Sequence, residues 1–253
     1  MKSMLLMAAL LLATACPLRM AAQGPRSIAE QYLFAAANAE RARQGIPALR
    51  CDESLYRAAD FHAVQMANRE SISHQYACEP DVSARALRAG AHFSVIAENV
   101  AVASTAVIIH TAWMNSPHHR DNLLDARVSA VGIRVISRQG QLYAVQDFDQ
   151  PVAMLSYDAQ ERTVATMLES SSHVTVVPST PQARRTCAMD SGYSGNDRPW
   201  FVMRYTSASL NQIPATLQEK LDSGKYHKAL VGACAATDSK NFTAYNIAVL
   251  LYP

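Results

Sequence analysis

One change of period constrains this chain more than any other feature. Up to about Leu124 the apolar residues recur at helical spacing, and from Ala130 they alternate. Ala130 to Ser137 and Gln141 to Phe148 read as two strands, with Gln139 and Gly140 as the turn between them. Helices first and an antiparallel hairpin last make an α+β unit. This is not the alternating βαβ order of a parallel sheet.

The helical part divides cleanly. Ser27 and Glu30 form a capping box, and Ile28, Tyr32, Leu33, Ala35, Ala36 and Ala39 give the stripe of a first helix. Gly45 and Pro47 end it. Asp52 is a good N-cap for a second helix, with Leu55, Ala58, Ala59, His62, Ala63 and Met66 on one face and an end near Asn68. Ser71 to Asp81 is polar and reads as loop. Val82 to Ala89 reads as a short helix closed by Gly90. Ile96 to Val102 is apolar but interrupted by Glu98 and Asn99. Ser104 is the expected cap of a helix running to Asn115. Pro117 stops it, because proline has no N–H and pushes Ser116 out of the helical region. His118 and His119 then stand just past a helix end.

After Gln150 and Pro151 a second unit begins. Gln160 to Ser170 suits a helix, and His173 to Val177 a short strand. Pro178 to Arg198 reads as loop, Pro199 to Thr206 as strand, and Leu210 to Leu221 as mostly helix, closed by Gly224. Tyr226 to Cys234 and Phe242 to Tyr252 read as strands, the last so apolar that it suits a central, buried position. The sequence shows no internal repeat. The organisation expected is an export signal over 1–22, a first α+β unit over 27–150 and a smaller α+β unit over 151–253.

Composition agrees with two packed units. Of 253 residues, 49% are hydrophobic and 17% charged, which excludes a disordered chain. The net charge is +2 and no charge block stands out, so nothing indicates a nucleic-acid partner. Lys2 followed by the apolar run Met4 to Leu12 reads as an export signal, since a bilayer-spanning helix needs about 20 apolar residues. Cleavage after Ala15 or near Ala22 gives a secreted or periplasmic protein. Ala13 to Cys16 also resembles a lipoprotein box, which would put a lipid anchor on Cys16. No other segment is long and apolar enough for a transmembrane helix.

Besides Cys16 there are four cysteines, Cys51, Cys78, Cys187 and Cys234, two in each unit. Four cysteines in an exported chain allow three pairings. If the two units are separate domains, Cys51–Cys78 and Cys187–Cys234 are the natural pairs.

Three groups in the first unit carry candidate chemistry: His74 in a loop, Glu98 in an apolar segment, and the pair His118–His119. A carboxylate inside an apolar stretch needs a partner, because an unpaired buried charge is costly. Two imidazoles and a carboxylate hold a divalent ion such as zinc with a position left for water, or form a hydrogen-bonded network that shapes a cleft. The spacing is no compact ligand motif. His62, on the apolar stripe of the second helix, reads as a satisfied core histidine, and Trp113 as packing. Ser116 before Pro117 reads as a helix stop, with no nucleophile elbow around it. Arg120 and Asp121 read as a pair at a helix start. His92, His110, His173 and His227 read as solvent-facing or structural. Tyr193, Trp200 and Tyr205 in the second unit read as core before they read as an aromatic binding face.

These residues also carry a resemblance. Asn38 and Arg41 followed by Gly45 and Leu49, then His74, Glu98–Asn99, the run Trp113 to Leu124, and finally Val131 to Val135 with Gln146 to Phe148, occur in the order of the CAP superfamily. That superfamily contains cysteine-rich secretory proteins, insect antigen 5, plant pathogenesis-related proteins and bacterial SCP-like proteins. The similarity covers about residues 27 to 150. It implies a three-layer α-β-α sandwich with a surface cleft that often binds zinc, and it singles out His74, Glu98 and His119 as the cleft residues and metal ligands. His118 takes the place of the family's glycine, so His119 is expected in the cleft and His118 at its rim. Ser116 stands where eukaryotic members have a second cleft glutamate, and Ala97 replaces a glycine.

Three functions follow as expectations. The first is a binding or interaction module at the envelope or outside the cell, for a lipid, glycan or protein ligand, with a cleft that takes a divalent cation. The second is a metal-dependent peptidase or esterase, with Glu98 as general base. The third is a lipid or sterol carrier. The resemblance does not imply catalysis, because most of the family has no established activity.

Overall fold

The structure, a computed structural model, describes residues 27–235 and 243–253. The export stretch 1–22, Cys16 and the expected strand start at Phe242 lie outside the described residues.

In the first unit, α1 (Ile28–Arg43) opens on the capping box: Ser27 Oγ accepts from Glu30 N, and Glu30 accepts from Ser27 N at 2.7 Å. β1 (Arg50–Cys51) leads into α2 (Glu53–Arg69), whose first turn Asp52 caps. Then come α3 (Val82–Arg88), β2 (Phe93–Ala103) and α4 (Ala106–Asn115). The cap of α4 is Thr105, not Ser104, because Thr105 Oγ1 is the acceptor for Ile108 N. Pro117 does more than stop α4. It occupies the first turn of α5 (Pro117–Leu124), where its missing N–H costs nothing. His118 and His119 therefore belong to a helix start and not to a loop. The hairpin follows as β3 (Ala130–Arg138) and β4 (Gln141–Pro151).

The sheet order is β1-β3-β4-β2, with β1 parallel to β3 and the remaining pairs antiparallel. Alternation along the hairpin sorts its residues to two faces. Val131, Ile133, Val135, Ala144 and Phe148 pack with Leu33, Ala37, Ile109, Trp113 and Leu123 of α1, α4 and α5. Tyr143 and Val145 pack with Ala59, Ala63 and Met66 of α2, and Ala130 with Leu55 of α2 and Ala86 of α3. This is the expected α-β-α sandwich.

The second unit holds α6 (Tyr157–Ser171), β5 (Thr175–Val176), α7 (Pro181–Cys187), β6 (Phe201–Ser207), α8 (Ala215–Asp222), β7 (Lys228–Cys234) and β8 (Tyr245–Tyr252). The stretch expected as loop contains α7. Thr180 caps it, since its Oγ1 accepts from Ala183 N, and Pro181 sits in its first turn. β8 is central and buried, as its apolar run requires.

The sheet order here is β5-β7-β8-β6, with β5 parallel to β7 and the other pairs antiparallel. This is the connectivity of the first unit over again. A helix and a two-residue strand come first, then one helix where the first unit has two, a strand at the far edge, again one helix where the first unit has two, and a closing hairpin. The chain thus contains a repeat of topology that its sequence does not show. A glycine marks it in both units. A Cβ on Gly132 would lie 2.1 Å from the backbone carbon of Leu55 in α2. A Cβ on Gly232 would lie 2.2 Å from the backbone oxygen of Ala183 in α7. In each unit the helix after the first strand rests directly on the third strand, and only a glycine leaves room for it.

The cysteines follow half of the expected scheme. Cys187 at the end of α7 and Cys234 at the end of β7 are bridged, with Cα atoms 5.7 Å apart. Cys51 and Cys78 are free, which corrects the other expected pair. The reason is the path of the loop after α2. It returns to His62, where Glu79 bonds the imidazole, and not to the start of the helix beside Cys51. The ten residues from Asp52 to His62 separate those levels by roughly 15 Å of helical rise, and a disulfide needs Cα atoms within about 7 Å.

Gly132→Ala and Gly232→Ala should each lower stability by at least ~2 kcal/mol, because the added methyl meets helix backbone that cannot step aside. Chemical denaturation of the two variants beside the natural protein measures that cost.

Candidate functional site

Four segments bring the site together: β2 carries Glu98, α5 carries His119, the loop after α2 carries His74, and α3 carries Arg85. Glu98 pairs with Asp147 across the sheet, and Asp147 pairs in turn with Gly132. Glu98 therefore points to the α2–α3 face and is buried.

Glu98 is fully engaged. Oε1 accepts from His74 Nδ1 at 2.9 Å, and Oε2 accepts from an Arg85 guanidinium nitrogen in a short contact. Arg85 is itself buried and donates to the Pro80 carbonyl at 3.0 Å and the His74 carbonyl at 3.3 Å. One guanidinium thus neutralises the carboxylate and holds the loop that presents the histidine. His62 holds the same loop from below. Its ring nitrogens are bonded to Glu79 and to the Ser73 carbonyl, both at 2.7 Å. It is the satisfied core histidine that its stripe implies, and it also fixes the backbone next to His74.

Two asparagines place His119. Asn99 Nδ2 donates to the His119 carbonyl at 3.0 Å. Asn122 Nδ2 donates to the Glu98 carbonyl at 3.1 Å and to Asn99 Oδ1 at 3.0 Å. These bonds stitch the first turns of α5 to β2. The imidazoles of His74 and His119 then face one another with ring centroids 6.4 Å apart and planes inclined by 30°. His118 is exposed, as expected of its rim position.

The two imidazoles differ electrically. The hydrogen bond to Glu98 raises the His74 pKa above the usual histidine value. Burial, with the nearby His74 and His118 charges, lowers that of His119. With Nδ1 turned to Glu98, the neutral His74 tautomer presents Nε2 as a lone pair, the orientation a metal-binding histidine takes when a carboxylate backs it. The His119 side chain has no hydrogen-bond partner among the described residues.

Of the three expected ligands, His74 and His119 offer two imidazole nitrogens on one cleft. Glu98 stands behind His74, with one oxygen bonded to it and the other to Arg85. Among the described residues no three His, Cys, Asp or Glu side chains come together as a metal cage. The donor set fits a divalent ion held by two histidines and completed by water or by a bound partner.

Arg85, Asn122, Glu79 and Asp147 carry the site's geometry and were missed from the sequence. Arg85 was legible as a charge on the inner face of a seven-residue helix. Asp147 was legible as an acid on the same side of the hairpin as Tyr143 and Val145. It is wholly buried, and burial together with the Glu98 charge pushes it well above the carboxylate range. Its partner Glu98 is 49 residues away in sequence, so no local pattern joins them.

Among the other residues considered, Trp113 is core and donates to the Val100 carbonyl at 3.1 Å. His110 is buried and faces Glu40 at 3.6 Å. In the second unit Tyr205 packs on the core as expected, but Trp200 is 65% exposed and lies just outside β6.

Comparison with known proteins follows the same residues. Residues 34–148 match the family described as "CAP: Cysteine-rich secretory protein family". The chain is 27% identical over 118 residues to the uncharacterized protein YkwD of Bacillus subtilis, a match covering 46% of each. It therefore spans about half the length of that curated relative. Among solved structures, an outer surface protein of Borrelia burgdorferi is 18% identical, with TM-score 0.46, covering 49% of this chain and 92% of that one. An extracellular SCP-domain protein of Bacillus anthracis is 25% identical, with TM-score 0.44, covering 51% and 45%. A cysteine-rich secretory protein of Staphylococcus aureus is 21% identical, with TM-score 0.40, covering 47% and 38%.

Asp149, two residues beyond Asp147 on the same face, gives a pH test. It is buried, and burial, with the Asp52 charge, raises it from 3.8 to about 7. The folded protein therefore keeps a proton that the unfolded chain loses above pH 4. The stabilisation is full below about pH 4 and is lost as pH rises through 7. Denaturation midpoints should fall between pH 5 and pH 8 in the natural protein and fall distinctly less in Asp149→Asn.

Proposed function

We propose that this chain, which carries a CAP domain over residues 34–148, acts outside the cytoplasm as a binding module whose His74–His119 cleft takes a divalent cation, zinc foremost. The observation that carries this is the facing pair of imidazoles, 6.4 Å between centroids, with His74 turned by Glu98. A zinc ion there would act as a Lewis acid toward an oxygen or nitrogen of a ligand. The chain's own part is to aim two nitrogens, to bury the carboxylate behind one of them, and to keep the loop from collapsing through Arg85 and His62.

Export is supported by the N-terminal apolar run and by the Cys187–Cys234 bridge, which persists in an oxidising compartment. Among the described residues no helix is long and apolar enough to cross a membrane. The hydrolase reading is less well supported, because a general base must be free to take a proton and Glu98 is held by Arg85 on one oxygen and His74 on the other.

Calorimetric zinc titration of the whole chain, with His74→Ala and His119→Ala beside it, tests this reading. The natural protein should bind one zinc ion, and each variant should lose at least tenfold in affinity. Equal affinity in all three proteins would overturn it. Peptidase and esterase screens with and without chelator should stay at background.

A further inference from the structure

We propose that the second unit carries a binding site of its own, for an uncharged saccharide, in the cleft between α7 and the segment that follows it. The cleft exists because the sheet is thinly covered there. In the first unit the face that holds Gly132 lies under α2, of 17 residues, and α3, of seven. In the second unit the matching face has only the seven residues of α7 and the segment 188–199. A cavity of about 300 Å³ is left, at the small end of the range for ligand pockets. Its floor is Leu230 and Leu250, which pair across β7 and β8, with Tyr252 beside them.

The rim of the cleft is polar. Gln182 comes from α7, and Asn196 and Asp197 come from the segment after it. None of these three side chains has a hydrogen-bond or ion-pair partner among the described residues. Together they offer two amides, each both donor and acceptor, and one carboxylate acceptor. The backbone that presents them is held. Arg204 donates to the Gly192 carbonyl at 2.5 Å, and Ser194 N donates to the hydroxyl of the buried Thr186 at 2.9 Å. At Gly195 φ is +113°, and a Cβ there would lie 3.2 Å from Gln182 Cγ, so a glycine is what lets the segment close on the helix. Free polar groups on a pinned backbone are organised for a ligand before it arrives.

Trp200 is the second, independent observation. It is 65% exposed, and its backbone N–H donates to the Leu251 carbonyl at 2.9 Å, which anchors it at the Tyr252 end of the cleft. Its indole belongs to none of the hydrophobic clusters among the described residues. A broad aromatic face in water has a partially negative surface that attracts the C–H groups of a ring laid upon it. The chemistry of the ligand follows. Gln182, Asn196 and Asp197 call for neighbouring hydroxyls that both donate and accept, and the indole calls for a flat C–H face. A pyranose ring carries both. Charge argues the same way. Asp197 is the one charged group lining the cleft and opposes an anion. Lys228, 4.4 Å over the Tyr252 ring, and Arg185, bonded to Ser194 Oγ at 3.2 Å, flank it and oppose a cation.

The test is titration of the whole chain with maltotriose, cellotriose and triacetylchitotriose, followed by calorimetry and by tryptophan emission. Of the two tryptophans Trp113 is buried, so a change in emission reports on Trp200. At least one trisaccharide should bind at millimolar concentration and shift the emission. The double variant Asn196→Ala/Asp197→Ala, whose changes lie at exposed positions, should lose at least tenfold in affinity for it with an unchanged melting temperature. Trp200→Ala should lose at least fivefold and the emission change with it. Zinc affinity at the histidine cleft should be the same in both variants. Binding of none of the three sugars, an unaltered sugar affinity in either variant, or equally tight binding of a blocked trialanine peptide would each overturn the proposal.

Discussion

The first unit depends on a buried arginine that meets main-chain oxygens and not a carboxylate. Arg41, near the end of α1, donates to the carbonyls of Pro47, Leu123, Asp125 and Val128 at 2.8 to 3.0 Å. Those oxygens belong to the link after α1, the end of α5 and the approach to β3. Two of them fall at or just past the negative end of α5, where a cation is favoured. A lysine could not reach so many acceptors, because it lacks the planar fork. Asn38, one turn earlier, exchanges two hydrogen bonds with the Leu49 backbone and sets the line of β1. The motif Asn38–Arg41 is therefore a clamp on the frame, and it reaches function only by fixing α5 and with it His119.

From that frame the site is built by neutralising one charge. Glu98 lies in a strand buried on both faces, and leaving it unpaired there is untenable. Arg85 meets one oxygen and His74 the other. Asp147, next to it across the sheet, is pushed toward its neutral form by burial and by the Glu98 charge. The arrangement occupies both oxygens of Glu98 and fixes the ring of His74.

What the sequence discloses and what it hides follow a physical line. Capping, periodicity and the Gln139–Gly140 turn are local, so the sandwich, the hairpin and the histidine cleft were legible. Partners far apart in sequence were not. Glu98 reads as a third ligand from the sequence, where its bond to Arg85 leaves no local trace. Cys51 and Cys78 looked like a pair because proximity in sequence stood in for proximity in space, and the rigid rise of α2 breaks that equivalence. Pro117 was read as an end when it was also a beginning, since the same missing N–H that stops one helix suits the first turn of the next. The run 178–198 was read as loop because its glycines and prolines outweigh the short Thr180-capped helix inside it.

The repeated topology shows which position of the sheet the histidine cleft depends on. In the first sheet one row runs Gly132, Asp147, Glu98 across three strands. The corresponding row of the second sheet runs Gly232, Ala248, Arg204. The glycine is the same, because in both units a helix must rest on the strand. The acid that opens the chemistry is replaced by an arginine, and that arginine donates to the carbonyls of Thr186 and Gly192 at 2.7 and 2.5 Å, tying down the segment around the bridged Cys187. Among the described residues no histidine bonds it, and a disulfide closes the end of the helix. The packing rule of the fold is thus satisfied twice, while the row that carries Glu98 in the first sheet carries Arg204 in the second. The second unit keeps the frame and spends the equivalent position on its own stability.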